Sequence, residues 1–79
     1  LFLGNIYMNE YEFRTRLAKW LRWKRISSNL TVVEAAGCFN LNVLDYHAFE
    51  TANKTIPSYV LYLAFSKWGV PDFLGWGSG

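Results

Sequence analysis

The segment Leu30-Thr31-Val32-Val33-Glu34-Ala35-Ala36-Gly37-Cys38-Phe39-Asn40-Leu41-Asn42-Val43-Leu44-Asp45-Tyr46-His47-Ala48-Phe49-Glu50 decides the fold. Ser27, Ser28 and Asn29 make a polar break ahead of it. Thr31 is then placed to cap a short helix through Phe39, because its hydroxyl can accept from an N–H of the first turn that has no helical partner. Asn40 suits a tight turn, and Asn42 repeats the capping chemistry for a third helix through about Thr51. In that frame Leu41, Tyr46 and Phe49 face inward, and the small Ala36 lets the two helices approach closely.

Upstream, Asn9 followed by Glu12 reads as a capping pair, and Phe13, Leu17, Trp20 and Leu21 recur at helical spacing, so the first helix runs from about Glu10 to Arg25. Those four side chains share one face, which puts Arg14, Arg22 and Arg25 opposite and leaves Trp23 exposed on the flank. Downstream, Pro57 opens a fourth helix, and Gly69 with Pro71 stops it. Leu61, Ala64, Phe65 and Trp68 form its core-facing stripe, and Val70, Phe73 and Leu74 cover the end of the bundle. Residues 1–7, ahead of Met8, read as a leader, 8–74 as the domain and 75–79 as a flexible tail. No strand and no internal repeat is evident. The expected fold is all-α, a compact bundle of four to five helices.

Composition narrows the function classes. The chain has 79 residues, of which 52% are apolar and 19% aromatic, far too hydrophobic for a disordered polypeptide. The single Cys38 allows no internal disulfide and suits a reducing, cytoplasmic setting. The longest apolar run, Tyr59 to Phe65, falls far short of the roughly 20 residues of a membrane-spanning helix. No secretion signal pattern is present. Cys38 and His47 are the only residues of their types, so no metal cluster forms within one chain, and no motif supplies an oxyanion site or an orienting group for a nucleophile. No cofactor, metal or enzymatic activity is expected.

Charge is lopsided: net +4 over residues 1 to 25 and −2 over 26 to 79. The stretch Lys19-Trp20-Leu21-Arg22-Trp23-Lys24-Arg25 interleaves aromatic and basic residues, a pattern that can stack on single-stranded nucleic acid or settle on a membrane surface. Helical phase already assigns Trp20 and Leu21 to the core, which leaves the cations as a solvated face and Trp23 as a candidate anchor.

The two short helices and their turn resemble the helix-turn-helix family of phage repressors, the Cro and CI type also called XRE. The likeness is carried by Leu30-Thr31, Ala35-Ala36, Asn40, Leu41, Asn42, Tyr46, Phe49-Glu50 and Pro57, and extends over roughly Leu17 to Leu74. It implies a lambda-repressor-like helical domain in which the start of the second helix and the outer face of the third lie along DNA. Here those positions are Val32, Val33, Val43, Leu44, Asp45, His47 and Ala48. No lysine or arginine lies between Thr31 and Glu50, while Glu34, Asp45 and Glu50 are acidic. Such a face releases no counterions from a duplex and offers few hydrogen bonds to bases. Clustered aliphatics suggest a protein interface instead.

Temperate phages encode small regulators of this kind that oppose or modify a repressor, and the chain resembles such antirepressors or modulators of repression. The expected partner is a DNA-binding repressor of the CI type, met through Val32, Val33, Val43, Leu44, Asp45, His47, Ala48 and Trp23. The acidic residues would face the partner's cations, and contact with DNA would be weak or indirect. The alternative is a Cro-like repressor that holds phosphates with Arg14, Arg22, Arg25 and Lys54 and dimerises through Phe73, Leu74 or Trp76. A third possibility, a structural oligomerisation domain, fits the apolar patch but not the regulator-like pattern.

Overall fold

Side-chain caps decide where the first three helices begin. In the computed structural model, which describes residues 8–74, these are α1 (Glu10–Ser27), α2 (Val32–Cys38) and α3 (Val43–Glu50). They are followed by α4 (Ser58–Trp68) and a 3₁₀ turn, Asp72–Leu74, with no strand among the described residues. Residues 1–7 and 75–79, with Trp76, lie outside that range.

Glu12 N–H donates to Asn9 Oδ1 at 2.8 Å while Asn9 N–H donates to Glu12 Oε1 at 3.3 Å, so both ends of the capping box are made. Thr31 and Glu34 exchange the same pair of bonds at 2.9 and 3.1 Å. Asn42 Oδ1 accepts from Leu44 N–H at 2.8 Å. Pro57 precedes α4 as its N-cap residue.

The first three helices end in the same way. The residue after the cap turns left-handed, and the next N–H reaches back five residues: Leu30 to Arg25 O, Leu41 to Ala36 O, Asn53 to Ala48 O. The left-handed residues are Asn29 (φ 61°), Asn40 (φ 57°) and Ala52 (φ 63°). Asparagine tolerates this conformation; alanine meets its own Cβ against the carbonyl at a cost of roughly 1–2 kcal/mol. Ala52→Gly is therefore expected to stabilise the domain by about 1 kcal/mol, a rise in Tm of roughly 4–8 °C by thermal circular dichroism.

The core is built where the four helices meet. Leu17 and Leu21 of α1, Ala35 and Ala36 of α2 with Phe39 at its C-cap, Tyr46 and Phe49 of α3, the loop residue Ile56, and Val60 and Ala64 of α4 are buried in one cluster. The central helix is α3, which packs on both α1 and α2. The alanines at 35 and 36 are almost wholly buried, as a close approach of α2 to its neighbours requires.

Two expectations about the core are corrected. Phe13 is exposed, because it lies a full turn before Leu17 at the start of α1 and only flanks a small pocket with Thr55 and Ile56. On α4 the fully buried ridge is Val60 and Ala64, a pair separated by one turn, while Leu61, Phe65 and Trp68 are half-buried beside it. The small side chains meet the bundle and the bulky ones straddle them. Trp20 packs edge-on against Phe65 at 5.5 Å between ring centroids, and Trp68 against Phe39 at 5.5 Å. The Trp68 indole N–H donates to Ser28 Oγ at 3.0 Å, tying α4 to the end of α1. At the closing turn Pro71 is buried and Val70 is exposed, while Phe73 and Leu74 are half-buried.

Candidate interaction face and groove

The caps at Thr31 and Asn42 fix which side chains of α2 and α3 turn outward. Leu44 is 79% exposed, Val33 63% and Val43 37%. Each belongs to the first turn of its helix, opposite the buried Ala35, Ala36, Tyr46 and Phe49. His47 is exposed one turn beyond Val43 and Leu44. Val32 and Ala48, expected with them, are half-buried, and Val32 packs against the core. The physical reason is phase: Val32 sits one turn before the buried Ala35 and Ala36 and shares their side of the helix.

Of the three acids in this segment, Glu50 and Asp45 are each paired with a cation, while Glu34 is exposed without one among the described residues. Glu50 is 6% exposed, and Arg25 Nε and Nη2 donate to its two carboxylate oxygens at 2.7 and 3.1 Å. Arg25 Nη1 also donates to the Leu30 carbonyl at 2.9 Å. One guanidinium fork thus locks α1 to the end of α3 and to the loop before α2. Such a bidentate pair is geometrically specific in a way that a lysine cannot reproduce. Arg25 was expected on the outer side of α1 as a phosphate contact; it is instead half-buried, with all three guanidinium nitrogens donating to Glu50 or Leu30. Its pKa is raised, chiefly by the hydrogen bond to Glu50.

The other acids are also engaged. Asp45 accepts from Lys54 Nζ at 2.8 Å, so this candidate phosphate contact carries a partner of its own. The Glu34 carboxylate closes the cap of α2. Arg14 pairs with Glu10 at 3.4 Å, and its Nε is buried without a hydrogen bond among the described residues.

Tyr46, wholly buried beside the Arg25 and Glu50 pair, has a hydroxyl with no hydrogen-bond partner among the described residues. Burial above all, with the nearby Glu50 carboxylate adding, pushes its phenol well above the ordinary value. The folded state then keeps this proton where the unfolded chain loses it. Its stabilising contribution is complete below about pH 10 and declines as pH rises further. Tyr46→Phe should remove that alkaline decline and, since the hydroxyl lacks a partner, leave stability at neutral pH unchanged or slightly higher. Melting curves of the two proteins between neutral and strongly alkaline pH check both statements.

The Arg25 and Glu50 pair also borders an open groove of about 470 Å³ between α1 and the end of α3. Thr15, Lys19 and Arg22 line one side, and Val32, His47 and Thr51 the other. Lys19 and Arg22 are exposed, and neither takes part in an ion pair among the described residues. The side chains on α1 recur at helical spacing, which is the signal that could have found the groove. It was missed because Lys19 and Arg22 read as a solvated face. Trp23, expected to be exposed, is 61% so, with the Lys24 ammonium 5.2 Å from its ring centroid.

Among the described residues no group of three or more histidines, cysteines or acids converges to hold a metal ion, and no helix is long and apolar enough to cross a membrane. Comparison with family models, with curated proteins and with solved structures finds no match to the chain.

Proposed function

We propose that the chain is a non-catalytic regulator of the phage helix-turn-helix type that docks on a second, DNA-binding protein as an antirepressor or modulator of repression. The observation that carries this reading is the exposure of Val33, Val43 and Leu44 on the first turns of α2 and α3. In the family that the sequence resembles, those turns face DNA. Aliphatic side chains there forfeit hydrogen bonds to base edges, whereas a protein groove rewards their burial. The resemblance supports the regulatory class, and size and composition agree with it.

The mode of contact differs from the charge-led one that the sequence suggests. With Glu50 paired to Arg25 and Asp45 to Lys54, Glu34 alone of these three acids keeps an exposed, unpaired charge among the described residues. Docking rests on apolar burial. A Cro-like role is favoured by one observation, the exposed Lys19 and Arg22 on α1, which take part in no ion pair among the described residues.

Placing a photo-crosslinking amino acid at position 44, with position 59 on α4 as the control, tests the proposal in source cells. Capture at 44 alone of a regulator whose operator binding changes when the chain is added is the expected outcome. Equal capture at both positions, or none at 44, counts against it.

A further inference from the structure

We infer that the groove between α1 and α3 is a receptor for an acidic, amphipathic polypeptide segment, which fixes the chemistry of the docking partner. This rests on the reading of the α2 and α3 first turns as a protein-docking face. Lys19 and Arg22 stand on one wall, exposed and unpaired among the described residues, and His47 stands on the other. The acid that lines the groove, Glu50, is neutralised by the bidentate Arg25. The groove therefore presents uncompensated positive charge, and an anionic group is its electrostatic complement.

Continuity with the aliphatic face selects a polypeptide. Val32 lines the groove and is followed by the exposed Val33; His47 lines it one turn beyond Val43 and Leu44. An occupant that fills the groove meets Lys19 and Arg22 on one wall and the aliphatic Val32 on the other. A helix with carboxylates along one edge and leucines along its face satisfies both, the helix-in-groove mode of recognition. A phosphate backbone answers only the cations and leaves Val32 against polar groups.

Isothermal titration of the full chain tests this with three probes: a helical peptide bearing glutamate on one edge and leucine on its face, the same peptide with glutamine for glutamate, and a duplex DNA. The glutamate peptide should bind at least about tenfold more tightly than the glutamine peptide, with the gap closing as salt is raised. Lys19→Glu with Arg22→Glu should abolish that preference while the melting temperature holds, both side chains being exposed; Lys19→Gln with Arg22→Gln serves if the reversal melts early. Equal affinity for the two peptides overturns the groove assignment and leaves docking through Leu44 standing. Binding of neither peptide overturns the groove assignment too. Duplex bound more tightly than the glutamate peptide overturns both the assignment and the docking reading.

Discussion

Replacing Glu50 with alanine is expected to destabilise the domain by about 3 to 5 kcal/mol, most of what a protein of this size possesses. The loss comes less from the attraction removed than from what is left behind. Arg25, its side chain 12% exposed, would keep a full positive charge with only the Leu30 carbonyl as a hydrogen-bond acceptor. Glu50→Gln should recover only part of the loss, since it restores shape and one acceptor but no charge. Removing both partners together, as Arg25→Leu with Glu50→Leu, should be much milder than Glu50→Ala alone, because a pair replaced by apolar groups leaves no stranded ion. Urea denaturation of the four proteins, followed by circular dichroism, gives the comparison. Glu50→Ala melting within a few degrees of the parent would mean that Arg25 reaches solvent and that the pair does not hold α1 to α3.

The second large effect concerns binding. Val43→Ser with Leu44→Ser should leave the melting temperature nearly unchanged, because Leu44 is 79% exposed and Val43 37%. Partner affinity should fall by one or more orders of magnitude, since each aliphatic side chain buried at an interface contributes about 1.5 to 3 kcal/mol when desolvation is complete. Calorimetric titration against the captured partner, with melting as the control, separates the cases. Unfolding of the double variant would place the two side chains in the core. Normal folding with normal binding would move the interface elsewhere, to Trp23 and Ile26 on α1 first, where both are exposed.

What the sequence disclosed and what it hid have a common physical cause. Caps are local: Asn9 with Glu12, Thr31 and Asn42 act within three residues, so the starts of α1, α2 and α3 could be read from neighbours alone. The inward positions of Tyr46 and Phe49 followed from the phase of the short helices. The pairing of Arg25 with Glu50 spans 25 residues, and nothing local distinguishes Arg25 from the exposed Arg22 three positions before it. The count of acids between Thr31 and Glu50 falls short for the same reason, because it takes no account of the pairing of Glu50 and Asp45 with distant cations. On α4 the apolar pattern runs almost all round the helix. Periodicity thus left the buried ridge open between Leu61 with Phe65 and Val60 with Ala64, and the tight approach of the bundle chose the smaller pair.

Selection from a pool of randomised DNA duplexes, performed with the isolated 79-residue chain at physiological salt, tests most directly whether the outward face of α2 and α3 serves protein or DNA. With Val33, Val43 and Leu44 where base-reading side chains would stand, repeated rounds should enrich no sequence, and recovered duplexes should bind no more tightly than the starting pool. Enrichment of one motif, bound at submicromolar concentration and lost when its bases are scrambled, would contradict protein docking and make the chain a DNA-reading repressor.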